Sequence, residues 1–196
     1  MKNKAFRLKY ILVGASGTGK TTMAHVLEKE LGLRRCITST TRPPRPGERD
    51  GVDYHFCASL NPDTLFEYAK FGNFAYGITF EELAKGDFII LEPQGVAYYL
   101  EHFPAPLTVI KLERNNIDVE ESRRARDKAA GFDCVEADMI VTGDSIADMS
   151  ANLLSAISPL EAHRSLNVQI TAAEAMQNLQ LTGFLRHPEN HNQQER

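Results

Sequence analysis

The chain has 196 residues, of which 42% are hydrophobic and 24% are charged, the composition of an ordinary soluble globular protein. This length predicts a single domain spanning residues 1–196. The formal net charge of −4 argues against broad nucleic-acid binding, and no apolar run approaches the roughly 20 residues that a membrane span needs. Any anion-binding site therefore depends on a local concentration of positive charge.

Short apolar runs alternate with amphipathic segments along the chain. The runs predicted to be strands are residues 8–15, 34–39, 73–78 (a strand or a turn), 87–92, 106–113 and 137–143. The segments predicted to be helices are residues 19–32, 61–72, 79–86, 93–103, 118–131 and 144–157. This alternation predicts an α/β fold, in which helices cover both faces of a parallel sheet. The polar tail, residues 186–196, is expected to be disordered.

Three of the predicted helices begin with recognisable signals. The residues predicted to lie at their N-termini as caps are Asn61, Thr79 and Asp118. Pro62 suits the first turn that follows Asn61, and Glu82 and Glu121 stand three residues after the other two caps.

The cysteines are scattered and odd in number. Cys36, Cys57 and Cys134 show neither disulfide nor zinc-site spacing. This pattern favours a reducing, cytoplasmic location.

Residues 14–21, GASGTGKT, match the phosphate-loop pattern G-x-x-x-x-G-K-[ST] between a predicted strand and a predicted helix. Glycines allow backbone N–H groups to approach phosphate oxygens closely. Lys20 would reach the β- and γ-phosphates of a nucleoside triphosphate, and the Thr21 hydroxyl would hold Mg²⁺. The residues predicted to bind ATP are Gly14, Ser16, Gly17, Thr18, Gly19, Lys20, Thr21 and Thr22, with Thr21 also as the metal ligand.

A second candidate anion site is the segment TSTTRPPRPGERDGVDY, residues 38–54. Arg42 and Arg45 lie three residues apart on a backbone that prolines stiffen, and each guanidinium matches two oxygens of one phosphate. Taken alone, the segment fits either a phosphate cradle or a solvated, proline-rich connector. Arg49 has no predicted ligand.

This segment resembles the substrate-binding loop of guanylate kinases, Ser-x-Thr-Thr-Arg-x-Pro-Arg-x-Gly-Glu followed by Gly-x-Asp-Tyr. Residues 67–77, EYAKFGNFAYG, are similar to a second block of that family, and the resemblance covers roughly residues 8–112. It implies a P-loop kinase fold with an inserted acceptor-binding lobe, residues 38–84, and a short lid, residues 114–136.

The resemblance also implies roles for single residues. Those expected to hold the acceptor phosphate are Arg42, Arg45, Tyr54 and Tyr76. Those expected to read the guanine are Thr38, Glu67, Thr79 and Glu92. Glu67 would accept hydrogen bonds from the ring N–H and the amino group, which adenine does not offer in the same pattern.

Three positions depart from the family pattern. Ile90 replaces the first aspartate of an Asp-x-Asp pair, and Glu92 replaces the second. Ile78 stands where a small hydroxyl residue follows Tyr-Gly, although Thr79 is next. We therefore expect a reshaped base pocket.

The lid should supply arginines to the phosphates. Arg123 and Arg126 lie on one face of the predicted helix, and Arg114 and Arg124 are the other candidates. The alternative is a solvated helix face with Glu–Arg pairs. The residues predicted to be catalytic are Lys20, Arg42, Arg123 and Arg126.

The expected reaction is ATP + (d)GMP ⇌ ADP + (d)GDP, with Mg²⁺ and small nucleotides as the ligands. Two alternatives stay open. Residues 76–78, Tyr-Gly-Ile, also resemble ribose 1,5-bisphosphate phosphokinases, in which Glu67 and Glu92 would have no base to read. A guanylate-kinase-like scaffold that binds peptides is the other, although such modules typically have a degenerate phosphate loop. The sequence predicts no oligomeric state.

Overall fold

The computed structural model describes residues 7–114 and 120–181, without the side chains of residues 71, 122, 123 and 166–181. The chain divides into two compact units, Met1–Leu154 and Ser155–Arg196. The described part of the second unit is the continuation of the last helix. All of the predicted site residues belong to the first unit.

The strands are β1 (Tyr10–Val13), β2 (Ser39–Thr40), β3 (His55–Phe56), β4 (Leu65–Phe71), β5 (Phe74–Thr79), β6 (Phe88–Ile90), β7 (Thr108–Arg114) and β8 (Met139–Gly143). The α-helices are α1 (Lys20–Leu31), α2 (Phe80–Leu83), α3 (Pro93–His102), α4 (Glu121–Ala129) and α5 (Ile146–Leu181). Two short 3₁₀ helices span Pro62–Thr64 and Phe132–Cys134.

The first sheet has the strand order β6-β1-β7-β8, and every neighbouring pair is parallel. Its central strand β1 is fully buried, as its unbroken apolar run predicts. In a parallel sheet the carboxyl ends of the strands share one edge, so residues after β1, β6 and β7 lie on the same side. The predicted parallel sheet is confirmed, and the phosphate loop leaves it from the end of β1.

The second sheet has the order β3-β2-β5-β4. Strand β2 pairs in parallel with β3 and antiparallel with β5, and β4 and β5 form an antiparallel hairpin. This sheet positions three of the predicted acceptor-site residues: the loop with Arg42 follows β2, Glu67 lies on β4, and Tyr76 lies on β5.

The predicted helix 61–72 is wrong. Asn61 does cap a turn, since its Oδ1 accepts a hydrogen bond from Asp63 N at 3.1 Å, but that turn is a 3₁₀ helix ending at Thr64. The following seven residues form β4 because Gly72, at φ +60°, turns the chain back so that β5 can pair with it. Cross-strand pairing in this hairpin has overridden a local helix-entry signal.

Other boundaries also differ from the predictions. Residues 34–39 form only an isolated bridge, between Arg35 and Phe88, before β2 begins. Helix α4 has Glu120 at its N-cap position, while the predicted cap Asp118 lies outside the described residues. Helix α5 continues well past the predicted end at residue 157. The predicted capping box of α2 is confirmed, because Thr79 Oγ1 accepts from Glu82 N at 3.1 Å.

Across the described ranges, no helix is long and apolar enough to cross a membrane.

Candidate active site

The phosphate loop joins the buried strand β1 to the first turn of α1. Gly19 has φ +93°, a left-handed conformation that a side chain would strain. A Cβ on Gly14 would lie 2.7 Å from the carbonyl oxygen of Leu112, so the loop passes too close to β7 for any larger residue. The motif glycines therefore meet requirements of the backbone itself.

Lys20 folds back over this loop. Its Nζ donates hydrogen bonds to the carbonyl oxygens of Gly14 and of Ala15, the latter at 3.1 Å. Burial lowers the pKa of Lys20, while the negative charges of Glu92 and Asp127 oppose that shift. The ammonium group is thus placed at the loop, where burial disfavours its charge and the two carboxylates offset that effect only in part.

The hydroxyl residues of the loop differ in accessibility. Thr18 is buried and donates to the Ala15 carbonyl oxygen at 2.9 Å, so it holds the loop in shape. Thr21 and Thr22 are exposed on the first turn of α1. A metal ion bound to a triphosphate could therefore reach the Thr21 hydroxyl.

Arg42 is a buried arginine, only 8% exposed. Its Nη2 donates to both carboxylate oxygens of Glu48, at 2.8 and 2.9 Å, and Nη1 donates to the Pro43 carbonyl oxygen at 2.8 Å. The hydrogen bonds with Glu48 raise the pKa of Arg42 and lower that of Glu48. Glu48 also accepts from the Arg45 backbone N at 2.7 Å, which closes the loop around the guanidinium.

Two tyrosines line the same place. The Arg42 guanidinium lies 5.3 Å from the centre of the Tyr54 ring, and the Tyr54 and Tyr76 rings meet edge to face at 6.2 Å. Burial raises the pKa of Tyr54, so its hydroxyl stays protonated and able to donate. Three of the four predicted phosphate-binding residues are therefore adjacent, whereas the Arg45 residue is exposed to solvent.

The threonines before Arg42 fix this loop to β5. Thr40 Oγ1 donates to the Ala75 carbonyl oxygen at 3.0 Å and accepts from Arg42 N at 3.1 Å. Thr41 Oγ1 accepts from Ala75 N at 2.9 Å. No role was predicted for these two threonines, although they cluster with Thr38 in the sequence.

Glu67 is half-buried, whereas Glu92, the other carboxylate among the predicted base-reading residues, is exposed. It pairs with Ile78 across the β4–β5 hairpin, and a Cβ on Gly95 would lie 3.3 Å from its Oε1. Burial raises the pKa of Glu67, with a smaller opposing effect from the neighbouring Tyr99 hydroxyl. The glycine at the start of α3 thus leaves room for this carboxylate.

The other base-reading candidates are placed differently. Thr79 Oγ1 serves as the cap of α2, and Ile78 is buried in the apolar core. Thr38 is half-buried, and its carbonyl oxygen accepts from His55 N at 3.0 Å. The base contacts of Thr38 and Thr79 stay predictions.

Glu92 occupies the N-cap position of α3, next to the end of β6. The residue is exposed, yet surrounding atoms desolvate its carboxyl group and raise its pKa, which the positive charge of Lys20 opposes. Its charge interactions connect it with Lys20 and the lid. A role in reading the base stays a prediction.

One arginine of the predicted lid, residues 114–136, reaches the phosphate loop. Arg126 Nη2 donates to Ser16 Oγ at 2.9 Å. Arg124 lines a cleft of 210 Å³ together with Ser16, whereas Arg114 is half-buried on β7. The side chain of Arg123, the other predicted catalytic lid residue, lies outside the described residues.

Asp127 is a site residue that the sequence analysis missed. Its carboxylate accepts from Ser16 N at 2.7 Å and from Ser16 Oγ at 3.0 Å, and the residue is only 8% exposed. In the sequence it is one acidic residue in a charged helix, and nothing local distinguishes it.

The chain is similar to known proteins. The sequence model described as guanylate kinase matches residues 7–96. The chain is 34% identical to a guanylate kinase of Thermus thermophilus, over 84% of this chain and 85% of the relative. It is 30% identical to one of Neisseria gonorrhoeae, over 80% and 89%. A relative from Gloeobacter violaceus is 38% identical, but the match spans about half of each protein, 50% of this chain and 55% of the relative.

A solved structure supports the fold. The crystal structure of guanylate kinase from Anaplasma phagocytophilum superposes with a TM-score of 0.56 at 20% identity, over 80% of this chain and 86% of that one. At this identity the likeness establishes the α/β P-loop kinase fold alone. The guanylate kinases of Thermus thermophilus and Neisseria gonorrhoeae match over more than four-fifths of their own length, at 30% identity or more, and this similarity establishes the family. The chain belongs to the guanylate kinase family.

Proposed function

We propose that this protein transfers the γ-phosphoryl group of ATP to GMP or dGMP, giving ADP and (d)GDP. The observation that carries the proposal is the second anion site. A buried Arg42, held by Glu48 and lined by Tyr54 and Tyr76, lies in the same unit as a complete phosphate loop. An enzyme that moves phosphate between two nucleotides needs two such sites.

Positioning and charge neutralisation would perform the chemistry. The loop N–H groups and Lys20 would hold the β- and γ-phosphates of ATP. Arg42, Tyr54 and Tyr76, joined by Arg45, would hold the acceptor phosphate in line with the γ-phosphorus. Arg126 would stabilise the charge on the phosphoryl group in transfer, a role that we also propose for Arg123. No covalent intermediate on the protein is required.

Mg²⁺ fits the donor chemistry of the loop, because Mg²⁺ prefers oxygen ligands and usually combines few protein groups with substrate phosphates and water. The exposed Thr21 hydroxyl would be its protein ligand. When bound, the ion would neutralise phosphate charge.

Glu67 would select the base. In its ionised form the carboxylate only accepts hydrogen bonds, so it matches the N1–H and 2-amino donors of guanine. Adenine presents an acceptor at N1 and has no 2-amino group, which would leave a half-buried carboxylate unpaired. Of the four residues proposed to contact the base, Glu67 has the geometry best suited to this task.

The proposed ligands are small molecules, with no nucleic acid or membrane as partner. We also propose a cytoplasmic location, which the three free thiols, Cys36, Cys57 and Cys134, support.

A coupled assay of ADP formation tests the function directly. Purified protein, ATP and Mg²⁺ are combined in turn with GMP, dGMP, AMP, CMP, UMP and ribose 1,5-bisphosphate. We expect the highest kcat/KM with GMP or dGMP. A preference for ribose 1,5-bisphosphate would identify a sugar-phosphate kinase instead, and binding of ATP without turnover of any acceptor would identify a binding module.

A further inference from the structure

The phosphate loop already holds an anion from the protein itself. The N–H of Ser16 points at Asp127 Oδ2, 2.7 Å away, and the Ser16 hydroxyl donates to Oδ1 at 3.0 Å. Both oxygens of this carboxylate accept hydrogen bonds from Ser16, as the oxygens of a bound phosphate group would. The contact joins positions 111 residues apart, so it docks helix α4 onto the loop.

The surroundings reinforce this contact. Asp127 is 8% exposed, which shields its hydrogen bonds from water. The preceding residue, Arg126, donates to the same Ser16 hydroxyl at 2.9 Å, and its Nη2 lies 3.6 Å from Asp127 Oδ1. Ser16 therefore accepts from a lid arginine and donates to a lid carboxylate at once.

A triphosphate cannot share this position with Asp127. A backbone N–H carries one hydrogen, so the Ser16 amide cannot make a full hydrogen bond to both a carboxylate and a phosphate oxygen. The two anions also repel each other, strongly so where water is excluded. Asp127 must therefore move away when the phosphates of a nucleotide take up the loop amides.

We propose that Asp127 is an internal competitor for the donor nucleotide: its carboxylate occupies the Ser16 amide and must be displaced, so it sets the affinity of the loop for Mg-ATP. The inference rests on the proposed function, which makes ATP the donor. Asp127 is an affinity-determining residue, because it acts on the nucleotide through Ser16 and the lid.

Calorimetric titration of the full chain with the non-hydrolysable analogue AMPPNP and Mg²⁺ tests the inference. Asp127→Ala should bind the analogue about 10- to 100-fold more tightly than the unmodified protein, the range expected from removing a charge-assisted hydrogen bond that binding has to break. Asp127→Asn keeps the size of the side chain and should also bind more tightly, by a smaller factor.

Asp133→Asn is the matched control. Asp133 lines the same 210 Å³ cleft and carries the same charge, but it is exposed. Its variant should bind AMPPNP within about twofold of the unmodified protein, because an exposed charge is screened. If Asp133→Asn tightens binding as much as Asp127→Asn does, net charge is the cause and the competitor role is wrong.

The Ser16 amide gives a second readout that does not depend on nucleotide binding. In ¹H–¹⁵N spectra of the nucleotide-free protein, its proton resonance should move upfield in Asp127→Ala, since the strong hydrogen bond is lost. An unchanged resonance overturns the inference, as does unchanged or weaker AMPPNP binding by both Asp127 variants while the unmodified protein binds. If no form of the protein binds AMPPNP, the proposed donor itself is wrong and the inference falls with it.

Discussion

Glu67 is the residue that we propose selects the base, and this role depends on the charge of its carboxylate. Only the ionised carboxylate accepts from both guanine donors. Burial raises the pKa of Glu67, so on acidification the protonated, non-matching form appears at a higher pH than for a solvated glutamate. The affinity for GMP should therefore fall as pH falls through this raised pKa. Above that pKa, where Glu67 is ionised, the affinity should be at its maximum.

Replacing Glu67 by Gln tests this role. Glutamine presents an NH₂ donor to one of the two guanine donors, so we expect KM for GMP to rise by about 10- to 100-fold, with less effect on KM for ATP. The acidic limb of the plot of kcat/KM for GMP against pH should also flatten, because the titrating group is gone. Steady-state kinetics across pH 4.5–8 measures both.

Glu101→Gln provides the control for that experiment. Glu101 is an exposed glutamate on α3, so its variant should keep the KM values and the pH profile of the unmodified protein. A Glu67→Gln enzyme that retains its preference for GMP and its acidic limb would show that another group reads the base.

Sequence motifs located the residues that would touch substrate but not the residues that hold them. Lys20 and Arg42 stand in contiguous patterns, so their role follows from neighbouring residues in the chain. Asp127 contacts Ser16 only on folding, because the two residues lie 111 positions apart, and such a partner carries no local signal. Glu48 stands in the same motif as Arg42, but its hydrogen bonds to the Arg42 guanidinium are visible only in the structure. Thr79 shows the converse, because its capping pattern was evident and its hydroxyl is used for that purpose.

At the scale of elements, the β4–β5 hairpin was the segment that local patterns misidentified. Asn61 and Pro62 correctly predicted the start of a helical turn, but that turn is a short 3₁₀ helix. The seven residues after it form β4, which pairs with β5. In a helix, the direction of the Glu67 side chain would follow from the roughly 3.6-residue helical repeat. The hairpin instead places it opposite Ile78, where the register of pairing fixes its position.

Gly77 lies on β5 where the two strands of this hairpin leave no room for a side chain. A Cβ there would lie 2.5 Å from Leu65 Cδ1 and 2.8 Å from the carbonyl oxygen of Glu67, which is backbone and cannot move aside alone. Gly77→Ala should lower the free energy of unfolding by about 1–3 kcal/mol, as overpacking does. It should also raise KM for GMP more than KM for ATP, because the strand that carries Glu67 is displaced. Urea unfolding and steady-state kinetics measure the two effects.

Gly72→Ala is the control that separates a loss of folding stability from a displacement of Glu67. Gly72 has φ +60° at the tip of the hairpin, with open space around it, so alanine should cost about 1 kcal/mol through backbone strain alone. Its KM for GMP should not change. If Gly77→Ala affects stability and leaves KM for GMP equally unchanged, the hairpin does not position the base-reading carboxylate.

At the scale of the whole molecule, the two proposed phosphate-binding sites are built on different sheets. The phosphate loop leaves β1 of the parallel sheet, whereas Tyr76 lies in the sheet β3-β2-β5-β4 and Arg42 follows its strand β2. The sequence predicted the parallel sheet through its alternating elements, but the mixed sheet depends on two-residue strands that have no periodicity to read. Two sites on separate sheets imply that each nucleotide can bind without the other.

Thermal unfolding with each ligand alone tests that independence. A ligand present at 100 times its Kd stabilises the folded state by about 2.7 kcal/mol, which raises Tm by roughly 5–10 °C in a protein of this size. We expect Mg-AMPPNP and GMP each to give such a shift. Lys20→Met should lose the shift with Mg-AMPPNP and keep the one with GMP, while Arg42→Gln should do the reverse, from a lower starting Tm because Glu48 loses its partner. Loss of both shifts in either variant would mean that the two sites form only together.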